Sequence, residues 1–469
     1  MIRRFYYIST ERRLRLFFIV VVLPAGAVCA ALHLQGSMIF ALLAPFIPVF
    51  FYPECLAWAA NQLLIWNRLD ACNSICEYGL AHFPISQGLL TAKSLVLFHR
   101  KRFEEVESET TKILYLNPVS VQNLINRSAA RCYLSRFQEA EHDANRAIEL
   151  APHWYDAYFN RANARFGRQD YEGCLEDTKS LLRLGKHLPA ARFLSVGCYL
   201  MTGRLGEAET LTAGLVGNVK HGSYDALSLA MLHSWRNEFA AVLEICAQVT
   251  DLEPLAYEFM LYQANAYFEL SEGCLAMNSI ARAIAFEPHA ENCHLLSAYI
   301  LADVGYLEQA AAACARIRGE WVSTSMTRDA QSFVYWRQEH WDKMLEASEL
   351  AIERCPTSAS SHSLRSLALA GLERFEESIE AGQKATTLQP LQAFGWYSLA
   401  NGYLKSGQVT KALDCLNTAL ANNSNSRYSY QLRAQVHLQA GDKIQAAKDQ
   451  AKYDELQAKF VANWKPSMS

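Results

Sequence analysis

The chain of 469 residues has no C-x-x-C pair, no zinc-type Cys/His spacing and no strong excess of either charge. Its formal net charge is −3 with an isoelectric point near 6.5. A nucleic-acid binder carries a marked basic excess, so that class is excluded. None of the glycine-rich phosphate loops, the H-E-x-x-H zinc helix or the G-x-S-x-G nucleophile elbow occurs. No residue is therefore assigned as catalytic, metal-binding or cofactor-binding, and the expectation is a protein that is not an enzyme. The thirteen cysteines are scattered singly, Cys72 and Cys76 being the closest pair. Unpaired cysteines behave as small apolar residues and suit a reducing compartment. The histidines are equally dispersed. His233, His294, His362 and His437 fall where helices pack.

The N-terminus is different in kind. Residues 1–15 carry five arginines and one acid, Glu11. Leu16 to Leu34 is an apolar run of 19 residues, close to the roughly 20 that span a bilayer. After Gln35-Gly36-Ser37, a second apolar run of 15 extends from Met38 to Tyr52, interrupted by Pro45 and Pro48. The expectation is a transmembrane hairpin over 16–52, or one span with a re-entrant second arm. The arginines hold the N-terminus on the cytoplasmic side, so two spans return residues 53–469 there. The alternatives are a cleaved signal, with Val28-Cys29-Ala30 as its site, or a single span. Either would place the remainder outside the cytoplasm, in envelope assembly or secretion.

Prolines, only thirteen in all, reveal the organisation of the rest. Pro84, Pro118, Pro152, Pro254, Pro288, Pro356 and Pro390 share one 34-residue register. With these prolines at position 32, twelve units fill residues 53–460 without an insertion, leaving 461–469 as a tail. Position 8 is small in every unit, from Ala60 and Ser94 to Ala400 and Ala434. Position 20 is mostly small, with Met344 the largest. Position 17 is often large, as in Phe103, Phe137, Tyr171, Phe239, Trp341 and Phe375. Small residues at 8 and 20 let two antiparallel helices approach closely, and proline at 32 ends the second. Arg127, Arg161, Arg365 and Arg433 occupy position 7, and Asp143, Asp177 and Asp449 occupy position 23 of three of the same units. That co-occurrence predicts internal ion pairs rather than a ligand site.

The unit ending at Ser424 carries Trp396, Leu399, Ala400, Tyr403, Gly407, Ala412, Leu416 and Ala419. This resembles the tetratricopeptide repeat (TPR) pattern W-x2-L-G-x2-Y…A-x3-F…P, with Ser424 in place of the final proline. The resemblance implies an all-α superhelical solenoid of about 12 helix-turn-helix units with a concave face lined by the first helices. It implies no reaction. Some members of the family clamp a carboxylate tail with Lys, Asn and Arg side chains; Asn126 matches that set, but Thr91, Leu95, Asp156 and Asn160 do not.

In TPR proteins positions 2, 5, 9, 12 and 13 face inward. Here they include Phe193, Leu227, Met231, Trp235, Leu261, Phe268, Leu295, Tyr299, Phe333 and Trp336. As a set they form an apolar, aromatic groove suited to a peptide or helical segment of a partner. The expected function is a membrane-anchored protein-interaction scaffold whose partners are other proteins and the membrane. A terminal helix of a second copy also fits the groove, so self-association is an open alternative.

Overall fold

The computed structural model describes residues 47–185, 188–215, 223–248, 255–286, 291–317, 324–462 and 464. The run Leu16–Leu34 and the greater part of the run ending at Tyr52 lie outside the described residues. Among the described residues no helix is long and apolar enough to cross a membrane. All regular structure described is α-helical, in 24 helices and no strand.

The helices alternate as A and B members of pairs. In order they are α1 (Ile47–Ile65), α2 (Leu69–His82), α3 (Gln87–His99), α4 (Phe103–Leu116), α5 (Val121–Tyr133), α6 (Phe137–Leu150), α7 (Tyr155–Gly167) and α8 (Tyr171–Arg183). There follow α9 (Leu188–Met201), α10 (Leu205–Thr212), α11 (Tyr224–Trp235), α12 (Phe239–Ala247), α13 (Ala256–Glu269), α14 (Gly273–Phe286), α15 (Glu291–Val304) and α16 (Leu307–Ala315). The last are α17 (Ser325–Arg337), α18 (Trp341–Arg354), α19 (Ala359–Gly371), α20 (Phe375–Leu388), α21 (Ala393–Lys405), α22 (Val409–Asn422), α23 (Arg427–Gln439) and α24 (Lys443–Val461). Every B helix begins 34 residues after the one before it, from Leu69 to Lys443.

Three local devices produce this period. The first is the helix crossing. The position-8 and position-20 side chains of all twelve pairs are at most 3% exposed. At three of the four serines at position 8 the hydroxyl donates across the crossing to the position-20 carbonyl: Ser128 to Ala140 (2.8 Å), Ser332 to Met344 (3.0 Å) and Ser366 to Ser378 (2.7 Å); Ser94 donates instead to Thr91 O in its own helix (2.8 Å). A hydroxyl at so close a contact would otherwise be buried without a partner.

The second is the A-to-B turn. Position 15 is left-handed in all twelve turns, with φ from 54° at Asn67 to 104° at Gly305. The next N–H then reaches back five residues, as in Arg102 to Leu97 O (3.0 Å), Glu272 to Tyr267 O (2.8 Å) and Gln408 to Tyr403 O (2.8 Å). This is a Schellman closure, which satisfies carbonyls at the end of the A helix. Only Gly203, Gly305, Gly407 and Gly441 meet the φ requirement without a Cβ; the other eight turns hold side chains there.

The third is the link between pairs. Position 34 donates its N–H to the position-31 carbonyl, as in Ser86 to Phe83 (3.0 Å), Ser120 to Asn117 (3.2 Å) and Gln392 to Gln389 (3.2 Å). Proline at 32 occupies the first corner residue of this turn, where its fixed φ suits and its missing N–H is not needed.

The helix α1 begins at Ile47 and passes through Pro53. The boundary expected between Tyr52 and Pro53 therefore falls inside a helix, because the close packing of Ala57 and Ala60 in the first pair outweighs one lost backbone bond.

The chain divides into two compact units. One comprises residues up to Leu134 with Glu139–Ala157; the other comprises Ser135–Gln138 and Tyr158 onward. In the first unit Asp143 receives Arg127 at 2.7 and 2.8 Å and Arg131 at 2.7 Å. In the second, Asp177 receives Arg161 at 2.6 Å and Arg165 at 3.1 Å, and Asp449 receives Arg433 at 2.7 Å. Arg365, which has no position-23 partner, pairs instead with Glu349 of the preceding pair at 3.4 Å.

Replacing a non-glycine at position 15 by glycine removes left-handed strain. Glu373→Gly, at an exposed turn with φ 61°, is expected to raise stability by up to about 1 kcal/mol. Gly407→Ala at φ 78° is expected to lower it by a similar amount. Urea midpoints of the two variants moving in the same direction would refute the assignment.

Candidate functional site

The second unit closes on itself. Residues at its early A-to-B turns touch links lying 154–156 residues further on, about four and a half repeats. Gln169 bonds Ser325 through its Oγ (2.6 Å) and its backbone N–H (3.2 Å). Asn237 Nδ2 donates to Leu391 O (2.7 Å), Ser271 Oγ to Asn425 O (3.3 Å) and Asn423 Nδ2 to Glu269 Oε2 (2.9 Å). Arg427 pairs with the fully buried Asp303. Lys459 bonds Leu270 O (3.2 Å) and Glu272 (3.0 Å). At the same place Gly273 approaches the end of α24 so closely that a Cβ would stand 2.6 Å from Phe460 O.

Closure brings the inner faces of the A helices together. Phe333 stands 5.0 Å from Tyr299 and 5.2 Å from Trp336, ring centre to ring centre. Trp336 stands 4.9 Å from Tyr428, and Phe268 stands 5.8 Å from Phe460. The Arg427 guanidinium lies 3.6 Å above the Phe460 ring. These edge and tilted contacts are the favoured geometries of aromatic pairs, and the cation over a ring adds to them.

What remains open is a cavity of about 350 Å³. Its apolar wall is Phe268, Leu296, Tyr299, Phe333, Leu364, Phe394 and Tyr428. Its polar wall is amide-rich: Asn237, Asn265, Gln392, Asn423 and Asn425, with Glu269 and Arg427. Gln392 Oε1 and Tyr428 Oη are shielded from solvent and have no hydrogen-bond partner. A volume in this range, an aromatic lining and a few converging polar groups characterise ligand sites.

The groove residues expected from the sequence divide accordingly. Phe268, Tyr299 and Phe333 line the cavity, and Trp336 packs beside it. Leu227, Leu295 and Phe333 are at most 6% exposed, and Leu261 packs against the same core as Leu295. Phe193, Met231 and Trp235 lie apart from the cavity: Phe193 contacts Tyr224 at 5.7 Å, and Met231 and Trp235 pack against the cluster around Leu232. Phe394 and Tyr428, at position 2 of the last two pairs, follow the same inward rule and could have been added from it. Of the amides, Asn265 at position 9 of α13 also follows that rule. The other four could not have been added. They sit on turns and links, which the inward rule does not reach.

Buried carboxyls surround the site. Burial pushes Glu269 up to about 7, against the opposing pull of Arg427 and its bond from Asn423. Burial raises Asp303 as well, again opposed by Arg427. Asp329, whose Oδ1 has no partner, is pushed up by burial to about 7 despite the hydroxyls of Ser358 and Ser361. Among the described residues no group of three or more His, Cys, Asp or Glu is placed to hold a metal ion.

No family model matches the chain, and no curated protein matches it in sequence. Among solved structures, the crystal structure of the APC/C hetero-tetramer Cut9–Hcn1 aligns over 98% of this chain and 95% of that one, with a TM-score of 0.55 and 13% identity. At that identity the likeness shows the fold alone, a TPR-like helical-repeat solenoid. The yeast Tom70 crystal structure aligns over 88% of this chain and 97% of that one at 12% identity, with a TM-score of 0.32. The structure of Naa15/Naa10 bound to HypK-THB covers 86% and 68% at 14% identity, with a TM-score of 0.28. Both superpose too loosely to carry an argument.

A carboxyl held at about 7 in the closed unit and near 4.5 in an open one binds its proton more tightly when closed. Closure is therefore favoured below about pH 4.5 and loses stability as pH rises through 7. The upper limit for Glu269 is about 3 kcal/mol. Glu269→Gln is expected to raise the thermal midpoint at pH 8 and leave it nearly unchanged at pH 5. An equal shift at both values would refute the assignment.

Proposed function

We propose that the chain is a non-catalytic protein-interaction scaffold, anchored to a membrane by its N-terminal apolar runs, and that the cavity of the second unit receives a short extended peptide segment. The observation that carries the peptide reading is the amide-rich wall of Asn237, Asn265, Gln392, Asn423 and Asn425 facing aromatic walls across one cavity. An extended backbone supplies N–H donors for the amide oxygens and carbonyls for the amide nitrogens, while the rings accept one side chain.

Size argues for an extended segment over a helical one. One turn of helix with its side chains occupies about 500 Å³, from a diameter near 11 Å and a pitch of 5.4 Å. The cavity offers about 350 Å³. A helix laid along the inner faces of the second unit would have to displace the rings that pack on one another there. The TPR-like fold supports the scaffold reading, since its elongated surfaces serve contacts with other proteins. The anchor is supported by the sequence of residues 1–52 alone.

The test is binding of fluorescent tripeptides with a central aromatic or leucine to the full-length protein in nanodiscs. Gln392→Leu and Tyr428→Phe are each expected to weaken the best binder about 5- to 10-fold, the worth of one hydrogen bond. Binding indifferent to both substitutions, or absent across the set, would overturn the assignment of this cavity.

A further inference from the structure

Positions 3, 6 and 10 of an A helix form the face against which the preceding pair packs. They are buried at Leu89, Ala92 and Val96 of α3, at Ala191, Leu194 and Cys198 of α9, and at Thr327, Ala330 and Val334 of α17. The remaining A helices after α1 keep at least two of the three buried. In α1 the same positions are Cys55, Trp58 and Gln62, and both Cys55 and Trp58 are exposed. Trp58 is 66% exposed, and Ile65 and Trp66 at the end of the helix are 73% and 66% exposed. A terminal repeat ordinarily presents a polar outer face. The last helix, α24, is mostly polar, with four lysines, three acids and three glutamines, Ile444 being its one strongly exposed apolar residue. The first helix presents tryptophan, isoleucine and tryptophan, and its one formal charge is Glu54.

We propose that this bare face of α1 rests along the surface of a lipid bilayer, with Trp58, Ile65 and Trp66 at headgroup level. The proposal rests on the reading of the N-terminal runs as membrane-inserting and takes the second run as the re-entrant arm, not a second span: with 47–52 in α1 only residues 38–46 of it remain, about 14 Å of helix. The chain itself chooses the occupant. The apolar run from Met38 ends at Tyr52, and its last six residues are the first turn and a half of α1. The bare face thus starts where the run stops, with no linker between them. Tryptophan is enriched where hydrocarbon meets water, and the exposed Arg68 stands two residues after Trp66, as suits a headgroup layer.

Geometry fixes the orientation. Trp58 and Trp66 are eight residues apart, about 12 Å along the axis. The interfacial layer on each side of the hydrocarbon is only about 5–8 Å thick. Both rings reach that layer together only if α1 lies along the surface. An upright α1 continuing the apolar run would carry Trp66 out into water.

Residues 1–46 contain no tryptophan, so quenching by lipid reports only on the repeats. The full-length protein is reconstituted in phosphatidylcholine vesicles carrying dibrominated acyl chains, and emission is compared with that in unbrominated vesicles. Trp58 and Trp66 are two of nine tryptophans, so a loss of up to about two-ninths of the emission is expected. Trp58→Phe with Trp66→Phe should abolish the loss, while the control Trp154→Phe retains it. Resistance to carbonate extraction reports the anchor separately. A carbonate-resistant protein with no bromine quenching overturns the proposal and leaves the anchor standing. Acrylamide then tells whether the face is in water, where it quenches Trp58, or covered by protein, where it does not. Release by carbonate overturns the anchor and the proposal with it.

Discussion

The fold depends on the close crossing of two helices at positions 8 and 20. Twenty-four side chains meet there, all nearly or fully buried. A crossing that close tolerates alanine, serine and cysteine, and a few larger residues only where the opposite one is small, as Met344 lies opposite Ser332. Once it is fixed, the A helix must end at one residue and the B helix must start three or four residues later. The left-handed turn then becomes obligatory even where the sequence offers Gln169, Asn237 or Glu373 instead of glycine. Strain at eight turns is tolerated because the crossing beneath each of them over-determines the backbone.

The second unit adds a constraint that neighbouring repeats alone do not impose. Its closing contacts are polar at the rim and aromatic inside. A rim made of turns and links is rich in exposed backbone carbonyls, and asparagine, glutamine and serine can reach these: Asn237 finds Leu391 O, and Ser271 finds Asn425 O. Each such bond contributes on the order of 1 kcal/mol net. The interior contributes more, through rings that bury large areas on one another and through Phe460 beneath Arg427. Closure thus turns the inner faces of the A helices toward one another, around a cavity whose polar wall is largely the inward side of the rim.

How much of this was legible follows from range. The 34-residue register was visible because proline at 32 and small residues at 8 and 20 act within one pair, where sequence separation is short. The Arg127–Asp143 and Arg161–Asp177 pairs were visible for the same reason, being 16 residues apart. Phe268, Tyr299, Phe333 and Trp336, at positions 9 and 12, are drawn from the inward set and stand around one interior. They said nothing of what would stand opposite. That Asn423 meets Glu269, or Gln169 meets Ser325, depends on the small rotation from each repeat to the next, summed over four and a half repeats. No single residue encodes that sum. Apart from Asn265, the amide wall of the cavity was therefore invisible, although every residue in it was in plain view.

The same logic of range separates the two ends of the array. A repeat interface is specified twice, once on each partner, so an internal A helix can be apolar at positions 3, 6 and 10 without consequence for solubility. An end helix has only one of the two halves. At α24 the sequence has replaced the missing half by lysines and acids, which solvate the face. At α1 it has kept an aromatic residue at position 6 and added Ile65 and Trp66, so the face keeps the demand of an internal one. A hydrophobic demand left at one end and removed at the other is a difference in what each end meets. The apolar run that leads without a break into α1 supplies the surface that fits that demand, whereas nothing comparable adjoins α24.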